Sequence, residues 1–276
     1  MHIIKSATEA ELYVKEQKSI NKNISLIPTM GNLHDGHLEL IKKAPIDSFK
    51  VLSIYINHLQ FDDENDYINY PKSFKKDISL CKQNNIDLVF MPENKFLTNC
   101  LDNSIIDLPK FTKYMCGATR KGHFLGVYKI IKVLFDLFSP NYACFGKKDF
   151  QQLLLIKYIA NTFYPSIKIT EVETHRRNDK IAMSSRLNML GKSSLDKARL
   201  IFNSLEEIKI QILSGHKFND IRSKYKKNLE NNGVNVEYLE IRSLQTLEEF
   251  EDKIDSAAIF IACKVDGVRL IDNLEI

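Results

Sequence analysis

Short apolar runs alternate with longer amphipathic segments over the first 174 residues of the chain. A strand buried on both faces is apolar along its whole length, whereas a helix that covers a sheet is apolar on one side only. The runs predict strands at 24–27, 50–56, 86–91, 142–145 and 167–174, and the segments predict helices at 7–17, 71–84, 123–138 and 148–161. This alternation favours an α/β fold, a Rossmann-like parallel sheet with helices on both faces.

Three prolines set expected boundaries in this region. Pro28 is expected to end the first strand, because proline punctuates strand patterns. Pro71 is expected to begin a helix, where its missing N–H group costs nothing. Pro45 disfavours helical geometry at Ala44 and is expected to end the helix that begins near His34.

A different pattern follows the alternation, with longer helices and fewer strands. The predicted elements are helices at 194–214 and 218–231 and strands at 234–241 and 257–265. Residues 268–271 are expected to pair with the last strand across the turn at Asp266-Gly267, because Asp-Gly is a frequent hairpin turn. Thr246 and Glu249 have the spacing of a capping box and predict the start of a short helix.

The polar segment 175–188 separates the two patterns and predicts a loop or hinge. At 276 residues the chain exceeds the usual size of a single domain. We therefore expect a Rossmann-like domain at 1–175 and a smaller C-terminal α+β domain at 176–276.

Composition and charge narrow the class of protein. Hydrophobic residues make up 44% of the chain, which is too high for a disordered protein. The formal net charge is +4, and the positive excess lies in residues 1–186 without a polybasic arm. This distribution suits small anionic ligands and gives little support to nucleic-acid binding.

The cysteines and the N-terminus indicate a compartment. The five cysteines are Cys81, Cys100, Cys116, Cys144 and Cys263, with no C-x-x-C spacing. They predict reduced, mostly buried thiols in a cytoplasmic protein. The first residues lack an apolar signal segment, and no stretch approaches the ~20 apolar residues that a membrane span needs. We therefore expect a soluble protein.

One strand–turn–helix junction concentrates candidate chemistry, with Gly31, His34, Gly36 and His37 following the strand at 24–27. A helix that begins there directs its free N–H groups and positive dipole end above the sheet, which suits a phosphate. The glycines allow the backbone to approach a ligand, and the imidazoles can donate to phosphate oxygens or stabilise a leaving group. The alternatives are surface histidines or a zinc site, and zinc has no third ligand nearby.

A second candidate segment is F-G-K-K-D-F-Q-Q, which begins at Phe145 and follows another predicted strand. Lys148 can reach a triphosphate, Asp149 can orient a cation or a ribose hydroxyl, and Gln152 can contact a carboxylate-bearing substrate. Both this segment and the histidine junction fall at the carboxyl ends of predicted strands, where ligands bind in such sheets. Taken alone, the segment equally fits a helix start with surface lysines.

A third candidate segment is A-M-S-S-R, which begins at Ala182. The hydroxyl groups of Ser184 and Ser185 beside the Arg186 guanidinium could clamp phosphates. The alternative is a polar linker. The motif that ends a P-loop, Gly191-Lys192-Ser193, lacks the required glycine five residues earlier, so another means of binding nucleotide is expected.

These segments together resemble the pantoate–β-alanine ligases, also called pantothenate synthetases. The segments that carry the resemblance are P-T-M-G-N-L-H-D-G-H from residue 28, N-H-L-Q-F from 57, T-R-K-G-H-F from 119, F-G-K-K-D-F-Q-Q from 145, S-S-R from 184 and R-L-I-D-N from 269, of which the second matches only at Asn57, Gln60 and Phe61. The H-x-G-H core occurs across a wider superfamily of nucleotidyltransferases and class I aminoacyl-tRNA synthetases, whereas the ten-residue form is specific to this family. The resemblance covers nearly the whole chain and is weakest from about 191 to 232.

The resemblance implies a two-step reaction. ATP and pantoate give pantoyl adenylate and pyrophosphate, and the amine of β-alanine then attacks the acyl carbon to give pantothenate and AMP. It also implies Mg²⁺, a homodimer, and a C-terminal domain that closes as a lid. The catalytic residues that it implies are His34, His37, Lys148 and Arg186.

The resemblance also implies the binding residues. The implied ATP contacts are Met30, Gly31, His34, Gly36, His37, Gly146, Lys147, Lys148, Asp149, His175, Met183, Ser184, Ser185 and Arg186. The implied pantoate and β-alanine contacts are Gln60, Gln152 and Arg120. Asp77 matches an acidic position linked to magnesium.

The chain departs from the family pattern at His58, Lys147, His175 and Leu187. Lys147 replaces a glutamate of the family and is expected to make the site more positive. Two other functions remain open. One is a nucleotidyltransferase of the same superfamily with a stable nucleotide product, against which Gln60 and Gln152 argue. The other is a non-enzymatic RNA-binding protein.

Overall fold

The computed structural model describes residues 1–93, 96–97, 106–249 and 256–276. The chain divides into two compact units. The first comprises Met1–Pro109, Arg120–Lys147 and Gln152–Glu173, and the second comprises Lys110–Thr119, Lys148–Gln151 and Thr174–Ile276. The second unit therefore takes two short segments from the N-terminal half of the chain and its middle, which the composition of those segments does not reveal.

The first unit contains a six-stranded sheet with the order β1-β4-β3-β2-β5-β6. Its strands are β1 (His2–Ile4), β2 (Ile24–Thr29), β3 (Phe49–Ile54), β4 (Leu88–Phe90), β5 (Tyr142–Gly146) and β6 (Lys168–Val172). All five neighbouring pairs are parallel, which confirms the predicted Rossmann-like sheet. After β2, the chain forms β3 on one side of β2 and later forms β5 on its other side. The strand order therefore reverses between β2 and β5, where such sheets bind ligands.

The α-helices, in chain order, alternate with these strands and then lengthen. They are α1 (Ala7–Ser19), α2 (Asp35–Lys43), α3 (Glu64–Ile68), α4 (Phe74–Gln83), α5 (Met115–Thr119), α6 (His123–Phe138), α7 (Phe150–Phe163), α8 (Lys192–Leu213) and α9 (Phe218–Asn231). Helix α6 has the predicted bounds, and its side chains at Val127, Ile131 and Leu134 are buried as their spacing indicates. Helix α2 ends as predicted, because Ala44 before Pro45 is extended.

Two of the proline predictions were wrong. Pro28 lies within β2, opposite Ser53 of β3. The Thr29 carbonyl accepts the Tyr55 amide on the β3 side, and alternate residues of a strand turn their peptide groups to opposite neighbours. Pro28 therefore faces β5, with which β2 pairs only earlier in the strand, so its missing N–H removes no ladder bond. Helix α4 begins at Phe74 rather than at Pro71.

The second unit contains a three-stranded antiparallel sheet with the order β7-β8-β9. The strands are β7 (Val234–Ser243), β8 (Ala257–Val265) and β9 (Val268–Glu275). Val265 pairs with Val268, which confirms the predicted hairpin and extends its second strand. Buried side chains of α8, α9 and the sheet form one apolar core, as expected for a small α+β unit.

The prediction of a capping box and a helix start at Thr246 was wrong for residues 246–249, which the structure describes. The Thr246 hydroxyl accepts the amide of Glu248, two residues on, and Leu247 has a φ of +54°. Glu249 forms an isolated antiparallel bridge with Arg242. A threonine that bonds the amide two residues later makes a local turn instead of a helix cap.

Four cysteines are unpaired and buried, as predicted: Cys81, Cys116, Cys144 and Cys263. Burial raises the pKa of Cys81 and of Cys263 to about 12, so both thiols stay protonated. The prediction for Cys100 falls outside the described residues. In the described parts of the chain, no helix is both long enough and apolar enough to cross a bilayer.

Candidate active site

The β2–α2 junction places two histidines at the first turn of a helix. His34 is the N-cap residue of α2 with an extended backbone. Its main-chain N–H donates to Nδ1 of His37 at 3.3 Å, and the two ring centroids lie 4.0 Å apart. Because Nδ1 accepts this bond, the neutral His37 ring has its proton on Nε2. Nε2 is thereby prepared as a hydrogen-bond donor beside the positive end of α2.

Asp77 of α4 holds the turn that leads to these histidines. Its side chain is 2% exposed. One carboxylate oxygen accepts the amide of Asn32 at 2.9 Å, and the other accepts the amide of Leu33 and the hydroxyl of Ser73, each at 2.8 Å. At Gly31, with φ +81°, a Cβ would lie 3.2 Å from the same carboxylate. The turn thus combines a glycine-only conformation with a carboxylate anchor.

These contacts do not fit the magnesium role that the resemblance implies for Asp77. Mg²⁺ needs near-octahedral oxygen ligands and usually retains several waters, whereas both oxygens of Asp77 are occupied by protein donors. Across residues 1–93, 96–97, 106–249 and 256–276, no three His, Cys, Asp or Glu side chains are grouped to hold a metal. We therefore assign Asp77 to the turn and derive no chemistry through a metal ion there.

The end of β5 lies beside the end of β2. The two strands pair in parallel through Ser25 with Tyr142 and Leu26 with Ala143, so their carboxyl ends open on one edge of the sheet. Strand β5 ends at Gly146, and no atom lies within 4 Å of a Cβ placed on that residue. The backbone at Gly146 therefore borders open space at the point where the strand order reverses.

Lys147, one residue further on, is paired with a carboxylate. Its ammonium group lies 2.6 Å from the Glu173 carboxylate, and its side chain is 23% exposed. Much of the charge gained where the family has glutamate is therefore matched by an adjacent carboxylate. The expectation of a more positive site stays a prediction, because an exchange of glutamate for lysine adds positive charge whether or not Glu173 lies beside it.

Gln60 is held in a short 3₁₀ turn at His58–Gln60. The amide of Asn57 donates to the Gln60 side-chain oxygen at 3.1 Å and to the Gly126 carbonyl at 3.0 Å. The Gln60 Nε2 lies 2.9 Å from the sulfur of Met30. Two predicted site residues are thus brought together, and the Gln60 donor faces only a weak acceptor.

Arg120 and His123 hold the main chain of Gln60 from the other side. The Arg120 Nη2 donates to the Gln60 carbonyl at 3.1 Å, and His123 Nδ1 lies 2.7 Å from the same oxygen. The Arg120 Nε donates to Asp62 at 2.8 Å. Arg120 was predicted to contact substrate, and its contacts in the structure position Gln60. Sequence reasoning missed His123, although it lies within the motif quoted for Arg120.

In the second unit, Lys148 and Ser184 line a small surface cavity together with Asp272. The Ser184 hydroxyl accepts the amide of Arg186 at 3.3 Å and caps the 3₁₀ helix at Ser185–Met189. Two of the three predicted phosphate-clamp positions are therefore fixed by a local turn. Asp272 was not predicted as part of this cavity.

Two buried residues of this unit, Leu187 and Gln151, have structural roles. Leu187, one of the departures from the family pattern, is 6% exposed and belongs to the apolar core, so it anchors the adjacent Ser184–Arg186 segment. The buried amide of Gln151 accepts the Cys116 amide at 3.1 Å and donates to the Tyr114 carbonyl at 2.8 Å. Sequence reasoning had assigned a role only to its neighbour, Gln152.

The predicted residues thus fall into two groups, one in each unit. The first unit holds Met30, Gly31, His34, Gly36, His37, Gln60, Asp77, Arg120, Gly146, Lys147 and Gln152. The second holds Lys148, Asp149, His175, Met183, Ser184, Ser185 and Arg186. In the second group, the amide of Met183 donates to the His175 carbonyl at 2.9 Å.

Comparison with known proteins decides which family these features belong to. A family model described as pantoate-beta-alanine ligase matches residues 2–275. The chain belongs to the pantoate–β-alanine ligase family. The pantothenate synthetase of Wigglesworthia glossinidia brevipalpis is 36% identical, across 100% of this chain and 99% of that protein. That of Leptospira interrogans is 35% identical, across 99% and 98%.

Solved structures of other ligases have the same fold. The pantothenate synthetase of Thermus thermophilus superposes with a TM-score of 0.91 at 29% identity, across 100% of this chain and 99% of that one. The pantoate-beta-alanine ligase of Francisella tularensis, in complex with beta-gamma ATP and beta-alanine, gives a TM-score of 0.83 at 27% identity, across 100% and 97%. The predicted family and the predicted fold are both confirmed.

Proposed function

We propose that this ligase condenses pantoate with β-alanine in an ATP-dependent reaction, by way of pantoyl adenylate, and releases AMP and pyrophosphate. The family match over residues 2–275 carries this proposal. The histidine pair at the start of α2 supports it, because the pair lies beside the reversal of strand order, where a nucleotide is expected.

The first step brings two anions together, because the pantoate carboxylate attacks the α-phosphate of ATP in line with the leaving pyrophosphate. Positive groups must offset this repulsion and hold the geometry. The N-terminus of α2 supplies partial positive charge, and the His37 Nε2–H group donates to the leaving phosphates. Lys148 and Arg186 add full charges, and closure of the C-terminal domain, 176–276, over the domain 1–175 keeps water from the adenylate.

Gln60 and Gln152 bind pantoate. The Gln60 amide has the Met30 sulfur as its neighbour at 2.9 Å, and a thioether is a weak acceptor. A substrate oxygen can replace it at little cost, while Asn57 and Arg120 keep the glutamine in place. Arg120 thus acts on the substrate through Gln60.

The remaining features of the proposal concern nucleotide binding and assembly. The ATP contacts follow the family motif at Met30, Gly31, His34, Gly36, His37, Gly146, Lys147, Lys148, Asp149, His175, Met183, Ser184, Ser185 and Arg186. Mg²⁺ would accompany ATP as part of that substrate, and Asp77, whose oxygens accept protein donors, is not assigned to it. The enzyme acts as a homodimer in the cytoplasm, and analytical ultracentrifugation tests the assembly.

The experiment supplies purified protein with ATP, Mg²⁺, pantoate and β-alanine. We expect pantothenate and AMP in equal amounts, together with pantoate-dependent exchange of pyrophosphate into ATP when β-alanine is omitted. Exchange reports the first step alone. A stable dinucleotide product without pantothenate would contradict the proposal and indicate a nucleotidyltransferase.

A further inference from the structure

The C-terminal strand β9 contacts the segment that contains Lys148. Asn273 is 8% exposed, and its side-chain amide donates to the main-chain carbonyl of Lys148 at 2.9 Å. The bond lies within the second unit, and it joins residues 125 positions apart in the sequence. It restrains the backbone of Lys148, a residue that lines the cavity.

The neighbouring residue, Asp272, makes a bidentate ion pair with Arg176. Its two oxygens accept Nη1 and Nη2 of Arg176 at 2.6 and 2.9 Å, and one of them also accepts the Asn273 amide at 2.8 Å. Burial raises the pKa of the Asp272 carboxyl, and the guanidinium counteracts that rise. The guanidinium also lies 3.9 Å from the ring centroid of Phe202, so its position is fixed on two sides.

Arg176 begins a short hairpin that leads directly to Ser184–Arg186, which we call the clamp segment. Arg176 bridges to Ala182 in antiparallel fashion, and the Met183 amide donates to the His175 carbonyl at 2.9 Å. Ser184 is the next residue after Met183, and it lines the same cavity as Lys148. A displacement of Arg176 would therefore move the clamp segment.

We propose that Asp272 and Asn273 are positioning residues that set the spacing between Lys148 and the Ser184–Arg186 segment. Asn273 holds the backbone of Lys148. Asp272 holds the Ser184–Arg186 segment through Arg176. Two adjacent residues of one strand thus set the distance between the two segments that we propose to contact the triphosphate. This inference rests on the proposed function, since it assumes that both segments contact ATP.

Asn273→Ala tests the Lys148 half of the proposal. We expect pantoate-dependent pyrophosphate exchange to fall about tenfold to a hundredfold, because a displacement near 1 Å can cost about a hundredfold. The second step, started from supplied pantoyl adenylate and β-alanine, should stay within about twofold of wild type, because it needs no triphosphate grip. Asn273→Asp keeps the shape but lacks the donor, and should match the alanine variant.

Asn232→Ala is the matched control. Asn232 lies in the same unit, and its side-chain amide donates to the Asn228 carbonyl at 2.8 Å, so the variant loses the same type of bond away from the cavity. We expect its exchange rate to equal that of wild type. A comparable loss in this variant would contradict a specific role for Asn273.

A double-mutant comparison with Lys148→Ala separates positioning from general stability. If Asn273 acts through Lys148, adding Asn273→Ala to the Lys148→Ala variant should lower its rate of pyrophosphate exchange by less than about twofold. An equal loss in both backgrounds, or an equal loss in the second step, would overturn the proposal. A wild-type enzyme without pantothenate formation would instead refute the proposed function.

Hydrogen exchange tests the Asp272 half without relying on activity. Asp272→Asn keeps the shape and weakens the pair with Arg176. We expect faster amide exchange across 175–186, and unchanged exchange in α9, which belongs to the same unit. Unchanged exchange across 175–186 would remove Asp272 from the proposal. If amide exchange becomes faster throughout the second unit, Asp272 contributes to its general stability, and the positioning role of Asp272 is also wrong.

Discussion

The main-chain amide of His34 donates to Nδ1 of His37, so the backbone of one histidine fixes the tautomer of the other. The arrangement follows from the position of His34 as the N-cap residue and of His37 three residues later, where a side chain can reach back to the cap. The neutral ring of His37 can then act as a donor only through Nε2. This geometry favours hydrogen-bond donation by His37 over proton transfer.

Variants of His37 distinguish these two roles. His37→Ala should lower the rate of adenylate formation by ~10²–10³-fold, the usual cost of removing one donor to developing charge. His37→Gln places an amide N–H near the position of Nε2 and should recover at least about tenfold of that loss, since donation needs no titrating group. Single-turnover formation of pantoyl adenylate is the measurement.

His216→Ala provides the control for these variants. His216 is an exposed histidine between α8 and α9, and its replacement should leave the rate unchanged. If His37→Gln is as slow as His37→Ala, proton transfer by the imidazole is required, and the donor role is wrong.

Asp77→Asn tests the carboxylate that anchors the Met30–Leu33 turn. An asparagine can accept with only one of its two side-chain atoms, so its NH₂ group would face a main-chain N–H of Asn32 or Leu33. We expect kcat/KM for ATP to fall about tenfold, since a buried donor is left without an acceptor. The Mg²⁺ concentration that gives half-maximal activity should not change.

The matched control is Asp87→Asn. Asp87 also accepts a main-chain amide, that of Lys50 at 2.8 Å, but it lies before β4 at the opposite end of the strands. This variant should lose some stability and keep its ATP kinetics. If high Mg²⁺ restores Asp77→Asn, then Asp77 is a metal ligand after all, and the anchor role is wrong.

Local patterns predicted whole elements but not the partners of single polar side chains. The bounds of α6 and β8 followed from apolar spacing and, for β8, from the neighbouring Asp266-Gly267 turn, all of which are local. The role of Asp77 depends on amides 44 and 45 residues away, and no periodicity encodes such a contact. Motif matching identified the candidate residues, and only the structure showed what each one contacts.

The same limit applies to Pro28. Whether a proline interrupts a strand depends on which neighbour its missing N–H would have faced, and strand order is a tertiary property. Sequence reasoning placed both candidate segments at strand ends correctly, because βα connections are short. It had no means of finding that β2 and β5 are adjacent.

Gly126→Ala tests the close packing of α6 on the Gln60 turn. A Cβ on Gly126 would overlap the Leu59 carbonyl and lie 2.6 Å from the Gln60 nitrogen, both of which are backbone atoms that cannot rotate away. We expect a loss of about 1–3 kcal/mol in the free energy of unfolding, as for other overpacked sites. The KM for pantoate should rise about tenfold with little change for ATP.

Gly191→Ala is the control, because no atom lies within 4 Å of a Cβ placed there. It should leave both Michaelis constants unchanged. Equal increases in the Michaelis constants of ATP and pantoate for Gly126→Ala would indicate general loosening of the first unit. That outcome would contradict a specific link between Gly126 and the pantoate-binding glutamine.

The ion pair between Lys147 and Glu173 predicts a charge-swap result. Lys147→Glu restores the residue typical of the family but places it beside Glu173, so two carboxylates face each other. The KM for ATP should rise about fivefold, the scale of a partly exposed pair, and the effect should weaken with added salt. The double variant Lys147→Glu/Glu173→Lys should return to within about twofold of wild type.

Lys132→Glu, which breaks an exposed pair with Asp136 on α6, should leave the KM unchanged. If the double variant stays as impaired as Lys147→Glu, a positive charge at position 147 is itself required, and the pairing explanation is wrong.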